Sequence, residues 1–164
     1  MPMNNDAALL YSDHVSRFYT KQYSFPPVVG RVLGYLLVCQ PMEQSINDLA
    51  DALLTSRSAI TSAIKLLENY HAISRVRPAG SRVDLITVAA HGWEQSGFDP
   101  TEYQQLASLA REGLQIVQHA SAERREALEG VAALNDFLAA RMPGLLQEWY
   151  DYRDSLAAQK HSKH

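Results

Sequence analysis

The sequence has a single cysteine, Cys39, so an intrachain disulfide framework is excluded and a reducing compartment fits. Cys39 lies in an apolar helical run and is expected to be a buried small hydrophobe. No stretch approaches the roughly 18 apolar residues of a membrane span, and the opening MPMNNDAALLYSDH lacks the basic start of a secretory signal. A cytoplasmic protein is therefore expected. Motifs of catalysis are also missing: there is no Gly-rich phosphate loop, no Gly-x-Ser-x-Gly, no His-Glu-x-x-His and no Cys-x-x-Cys. Asp13 and His14 are adjacent, so on a helix their side chains diverge and form no dyad. Among the histidines only His161 and His164 are closely spaced, in a polar tail expected to be disordered from Gln159 onward. The expectation is a protein that is not an enzyme and has no cofactor and no structural metal.

A local scarcity is more informative. Between Thr55 and Arg82 the only acid is Glu68, against the five cations Arg57, Lys65, Arg75, Arg77 and Arg82, giving +4 within a chain of net charge −3. Ile60, Ala63, Ile64, Leu67 and Tyr70 recur at helical spacing as one apolar face. The opposite face carries Arg57, Ser58, Thr61, Ser62 and Lys65 and no carboxylate. A merely solvated helix face mixes both signs, whereas cations and short hydroxyls suit close approach to phosphates and base edges. Double-stranded DNA is the expected partner of this face.

The rest of the chain frames that helix. Asp6 can cap a first helix on which Leu10, Tyr11, His14, Val15, Phe18 and Tyr19 form a wide apolar stripe. Pro26-Pro27 resets the chain. The next helix places Val28, Val29, Val32, Leu33, Leu36 and Leu37 on its core face and stops before Pro41. Gly30 and Gly34 are a small-xxx-small pair suited to close helix packing, and Arg31 between them faces away from the core. Ser45 with Asp48 reads as a capping box opening a short helix with Ile46, Leu49, Ala50 and Leu53 buried. A turn at Leu54 and Thr55 leads into the cationic helix, with Thr55 or Ser56 as its N-cap. Residues 73–78 and 83–88 are β-branched runs around Gly80 and read as a hairpin. His91, Gly92 and Trp93 lie in a connector ended by Asp99-Pro100. Three amphipathic helices follow: one on Leu106, Leu109, Ala110, Gly113, Leu114 and Val117; a second from Ser121 on Leu128, Val131, Leu134 and Leu138, stopped by Pro143; and a third on Leu145, Trp149, Tyr152 and Leu156.

Residues 26–88, with PPVVGRVLGYLLV, SINDLADALLTSRSAITSAIKLLENYHAISRV and PAGSRVDLITV, resemble the winged helix-turn-helix of MarR-type transcriptional regulators, closest to the GbsR-like branch. The carrying motifs are Gly-Arg-x-x-Gly in the first winged-helix segment, Ser-Arg-Ser-x-x-Thr at the start of the cationic helix, and Gly-Ser-Arg at the wing tip. The family commonly has Asp-Arg at that tip, and Ser81 here takes the place of the Asp. The resemblance implies a homodimer on a palindromic operator, often released by a small molecule, with the N-terminal helix in the dimer interface. Packing of that helix on its own subunit is the alternative.

The expected fold is mainly α with a small β-hairpin wing. It divides into an N-terminal dimerisation helix at 1–25, a winged helix-turn-helix at 26–89, a helical dimerisation region at 90–160 and a tail at 161–164. Ser56, Arg57, Ser58, Thr61, Ser62 and Lys65 are expected in the major groove, Arg82 at the wing, and Arg75 or Arg77 on phosphates. His14, Phe18, Tyr35 and Trp93 are the candidate pocket for a small aromatic or lipophilic effector, since pockets favour lobe junctions. The function expected is an inverted-repeat-binding regulator, a repressor. The competing reading is a winged-helix module that engages an acidic protein and reads no DNA.

Overall fold

The computed structural model describes residues 5–162, without the side chains of Trp93 and Gln95. The first four residues and the last two, including His164, lie outside the described residues. The chain forms two compact units, Met1–Trp93 and Glu94–His164.

The first unit is built from α1 (Asn5–Tyr23), α2 (Pro27–Val38), α3 (Ile46–Ala52), α4 (Arg57–Asn69), β1 (Ile73–Val76) and β2 (Leu85–Val88). Helix α1 lies along α2, but not on the stripe that its large side chains suggest. Its buried residues are Ala8, Ser12 and Ser16, one helical turn apart, while Leu10, Tyr11 and Phe18 are exposed. The reason is on α2: a Cβ placed on Gly30 would lie 2.5 Å from the Ser16 Cα, and one on Gly34 would lie 2.7 Å from the Ser12 Cα. The glycine pair therefore forms a close helix seam, as its spacing suggests, and only small residues fit opposite it. Ser12 Oγ donates to the Ala8 carbonyl and Ser16 Oγ to that of Pro27, so the hydroxyls in the seam are satisfied.

The core proper joins α2, α3, α4 and the hairpin through Val32, Leu33, Leu49, Leu53, Ile60, Ile64, Leu67 and Ile86, all almost fully buried. On α2 the expected core residue Leu37 is exposed, and Tyr35, expected as a pocket residue, is buried in the core. Cys39 is buried as expected, and burial pushes its thiol pKa up. The capping box forms as expected: Asp48 N–H donates to Ser45 Oγ, and Ser45 N–H donates to the Asp48 carboxylate.

The turn after α3 has the bond pattern of a Schellman motif. Leu54 N–H reaches the Asp51 carbonyl and Thr55 N–H the Ala50 carbonyl, with Leu54 left-handed at φ 51°. Helix α4 ends the same way, with His71 at φ 54°, His71 N–H on the Glu68 carbonyl and Ala72 N–H on that of Leu67. Strands β1 and β2 pair antiparallel from Ile73 with Val88 to Val76 with Leu85, shorter than the expected runs. Gln44 and Ile86 exchange both backbone hydrogen bonds, so the segment before α3 adds one residue of a third strand.

The second unit contains most of α5 (Gly92–Phe98), then α6 (Pro100–Ile116) and α7 (Ala122–His161). Helix α5 takes in Gly92 and Trp93, expected as connector. Asp99 caps α6 and Pro100 opens it, so the connector ends where expected. Helix α7 is one helix of 40 residues where two were expected, and it carries Pro143 inside. An internal proline removes one hydrogen bond and crowds the carbonyl four residues back, costing about 3 kcal/mol. Contacts beyond the proline oppose that cost: the Glu94 carboxylate, only 11% exposed, accepts from Trp149 Nε1 at 2.6 Å and from Arg153 Nη1 at 3.4 Å. The helix also takes in Gln159, Lys160 and His161 of the expected tail. Among the described residues, no helix is long and apolar enough to cross a membrane.

Candidate nucleic-acid interface

Helix α4 is positioned by its buried face, so its other side is fixed by default. Ile60, Ala63, Ile64 and Leu67 are buried, whereas Tyr70, expected on that face, is the C-cap and is exposed. Ser56 is the N-cap: its Oγ accepts from Ala59 N–H at 3.1 Å and lies 3.1 Å from Ser58 Oγ. Arg57, Ser58, Ser62 and Lys65 are exposed. Thr61 is half-buried and donates its hydroxyl to the Arg57 carbonyl at 2.8 Å.

The N-terminus of α4 is electrostatically unusual. Helix N-termini carry partial positive charge and favour Asp or Glu, yet the first turn of α4 holds no acid and begins with Arg57. Among the described residues no carboxylate pairs with Arg57, Lys65 or Arg82. This end and face thus present unneutralised donors, which is what an anionic ligand needs.

The two hairpin arginines are different. Arg75 grips Glu68 of α4 through Nε at 2.8 Å and Nη2 at 3.1 Å, and its Nη1 lies 3.5 Å from Asp84. Arg77 Nε donates to the same Asp84 at 2.7 Å. The hydrogen bonds from Arg77 and Arg75 hold the Asp84 carboxyl below its usual range, and the Glu68 bond raises the Arg75 guanidinium. Asp84 lies just past the +4 segment, and including it lowers that balance to +3. Arg75 ties the wing to α4, so a phosphate contact through Arg75 requires breaking a bidentate pair. Arg77 is 63% exposed and keeps donors free beside its pair. At the wing tip Gly80 takes φ 79°, Ser81 Oγ accepts from Val83 N–H at 3.0 Å, and Arg82 is exposed.

The four candidate pocket residues are not alike. His14 and Phe18 lie one turn apart on the exposed side of α1, Tyr35 is in the core, and the Trp93 side chain is outside the described residues. The aromatic grouping that does form was missed: Phe18, Tyr19, Tyr23, Phe25 and Tyr70 make a chain of ring contacts with centroids 5.2–5.9 Å apart from Phe18 through Tyr19 and Phe25 to Tyr70. It joins the end of α1 to the end of α4. Pairwise sequence spacing does not reveal it, because Phe25 and Tyr70 meet only through the tertiary fold. No three His, Cys, Asp or Glu side chains gather as a metal site among the described residues.

Comparison with known proteins adds to this geometry. Residues 91–152 match the family model described as MmpR5-like MarR family transcriptional regulator. The HTH-type transcriptional regulator MmpR5 of Mycobacterium tuberculosis is 39% identical over 64 residues, a stretch that spans 39% of this chain and 39% of that protein. The crystal structure of a transcriptional regulator superposes with a TM-score of 0.80 at 23% identity, over 88% of this chain and 99% of that one, and establishes the fold. The MepR–DNA complex of S. aureus is more distant, with a TM-score of 0.41 at 19% identity over 65% of this chain and 86% of that one. MmpR5 and the first of these structures are named as transcriptional regulators. The chain thus has a winged helix-turn-helix fold, and its residues 91–152 are similar to the MmpR5-like MarR family transcriptional regulators.

Proposed function

We propose that this chain is a cytoplasmic transcriptional regulator that binds an inverted-repeat operator as a homodimer and acts as a repressor. The observation that carries the reading is the exposed side of α4, where Arg57, Ser58, Ser62 and Lys65 stand at a Ser-capped positive helix end with no acid in its first turn. Arg57, Ser58 and Ser62 read base edges in the major groove, Lys65 contacts phosphate, and Arg82 reaches the minor groove from the wing. Ser56 contributes mainly as the cap, Thr61 by its methyl group, and Arg77 rather than Arg75 is the hairpin's phosphate contact.

Large apolar side chains left open in the second unit support the dimer. Leu109, Ile116, Leu134, Phe137 and Tyr152 are each more than half exposed, and a second copy is the occupant that would cover them, together with the outer stripe of α1. Two α4 helices related by a two-fold axis would read half-sites about 34–36 Å apart. A small aromatic or lipophilic effector that stabilises one dimer geometry would change that spacing and release the operator. Thermal shift against such compounds tests this part, with a ligand-dependent rise expected.

The central test is selection of genomic fragments by the purified protein at physiological salt, beside Lys65→Ala/Arg82→Ala. An inverted repeat recovered by the wild type and lost in the variant is the expected result. Loss of Lys65 alone should weaken binding to all sequences and flatten the salt dependence by about one unit. Recovery of the same unsorted DNA by both proteins would refute DNA reading and favour an acidic protein partner for the basic face.

A further inference from the structure

Arg31 lies between the two glycines of the helix seam and joins three segments of the first unit. Its Nε donates to Asp13 Oδ1 of α1 at 2.9 Å, and its Nη1 donates to the Leu53 carbonyl at 3.0 Å. Leu53 is the C-cap of α3, where a helix leaves carbonyls without intrahelical donors and where its dipole favours a cation. The next residue is left-handed Leu54, and Ser56 opens α4 two residues later. Arg31 therefore holds the turn that sets where the N-terminus of α4 begins.

We infer that Arg31 is a positioning residue for the recognition helix and that Asp13 is the group that aims it. The inference rests on the proposal that α4 reads DNA. A guanidinium presents its donors in a rigid planar fork, so fixing Nε on a carboxylate also fixes the direction of Nη1. Asp13 is in reach because the seam brings α1 so close: Gly30 and Gly34 flank Arg31 and meet Ser16 and Ser12 at backbone distance. The Gly-Arg-x-x-Gly motif thus has one purpose in two parts. The glycines bring α1 in, and the arginine carries its position to the helix-turn-helix turn. Helix α1 belongs to the reading apparatus, and whatever covers its exposed outer stripe bears on the turn through Asp13. A free phosphate contact by Arg31 is disfavoured, since two of its donor edges are already engaged and it is 31% exposed.

The test compares Arg31→Met, Asp13→Asn and the double variant in the full chain. Three quantities are measured: the affinity ratio of selected operator over random duplex, the salt slope, and amide hydrogen exchange at residues 55–58. Both single variants should lower the ratio roughly tenfold while leaving the salt slope unchanged. Exchange at 55–58 should be faster in both, and the double variant no worse than Arg31→Met, because the two residues act as a unit. A salt slope lowered by about one unit in Arg31→Met, with Asp13→Asn silent, would make Arg31 a phosphate contact and overturn the inference. Unchanged exchange in both variants would overturn it as well. Should the wild type select no DNA, the reading of α4 falls, while the exchange measurement still decides whether Arg31 and Asp13 hold the turn. Asp13→Asn keeps the arginine, so a folding failure of Arg31→Met leaves the decision intact.

Discussion

The two units bury very different things. The winged unit encloses Leu33, Leu49, Leu53, Ile60, Ile64, Leu67 and Ile86 almost completely, whereas the buried residues of α6 and α7 are Ala107, Ala110, Ala132 and Asn135. Fully burying a leucine-sized side chain contributes about 1.5–3 kcal/mol, so the first unit holds a core of its own. The second unit is a helical hairpin in close small-residue contact: a Cβ on Gly113 would lie 3.2 Å from the Leu128 side chain. Its large apolar residues point elsewhere, and Ile116 is 82% exposed. Under the proposed function, the unit that reads DNA holds its shape alone, while the unit that would assemble has large apolar residues left for a second copy to cover.

Truncation in the two units should break this comparison if it is wrong. Ile60→Ala is expected to cost about 2–4 kcal/mol of unfolding free energy at any protein concentration. Leu134→Ala should cost under about 1 kcal/mol in dilute protein and more as concentration rises, because its burial depends on association. Urea melts across a hundredfold range of concentration would measure both. Equal, concentration-independent losses would mean that α6 and α7 are complete in one chain.

The next effect is on mass. Leu134→Asp with Phe137→Asp places two charges on the exposed side of α7, where a single chain tolerates them and a buried dimer interface does not. Light scattering should find the wild type at twice the variant's mass, with the helical content of the variant largely kept. Equal masses would exclude this face from self-association.

The same contrast explains how much the sequence disclosed. Where one copy closes its own core, periodicity reads true: Ile60, Ala63, Ile64 and Leu67 were legible as the buried face, and so the cationic face of α4 was legible by subtraction. Where burial waits for another surface, periodicity marked Leu106, Leu109, Leu134 and Tyr152 as a core that the single chain leaves open. On α1 the same rule misled, since large residues draw the eye and the packed face is Ala8, Ser12 and Ser16. The signal was present in the glycine pair of α2, which requires small residues opposite. Asp84, the Gln44 bridge and the aromatic chain through Phe25 and Tyr70 depend on tertiary pairing, which spacing along one element cannot carry. Pro143 was read as a stop because local propensity says so, and Glu94 with Trp149 and Arg153 shows a tertiary anchor on the far side of it.

A smaller effect concerns the turn that separates α3 from α4. Leu54 sits in the left-handed region at φ 51° with its side chain 90% exposed, so it bears the steric cost of that conformation with no packing in return. The left-handed penalty for a side-chain-bearing residue is roughly 1–2 kcal/mol, offset in part by the unfolded-state freedom of glycine. Leu54→Gly should therefore stabilise the protein by about 0.5–1 kcal/mol, seen as a higher thermal midpoint. A loss of stability would mean that Leu54 is covered in the assembled protein.

The smallest effect is a pH dependence confined to the start of α3. The Asp48 carboxylate accepts from Ser45 Oγ at 2.6 Å and Ser45 N–H at 2.9 Å, and these bonds, the hydroxyl first, lower its pKa from the usual carboxylate range. A carboxyl whose folded pKa is depressed contributes stability above its unfolded pKa, near 3.9, and loses it as pH falls through the lower folded value. Asp48 is exposed, so solvent screening keeps the capping contribution under about 1 kcal/mol. Asp48→Ala should then be less stable than the wild type at neutral pH, and the gap should narrow below about pH 4 as the wild-type carboxylate is protonated. The Asp84 pair with Arg77 titrates in the same direction but is present in both proteins, so it cancels in the difference. A gap that stays constant down to pH 2 would mean that the Asp48 side chain stabilises α3 by its hydrogen-bonding shape alone, and that its charge adds nothing at the N-terminus of the helix.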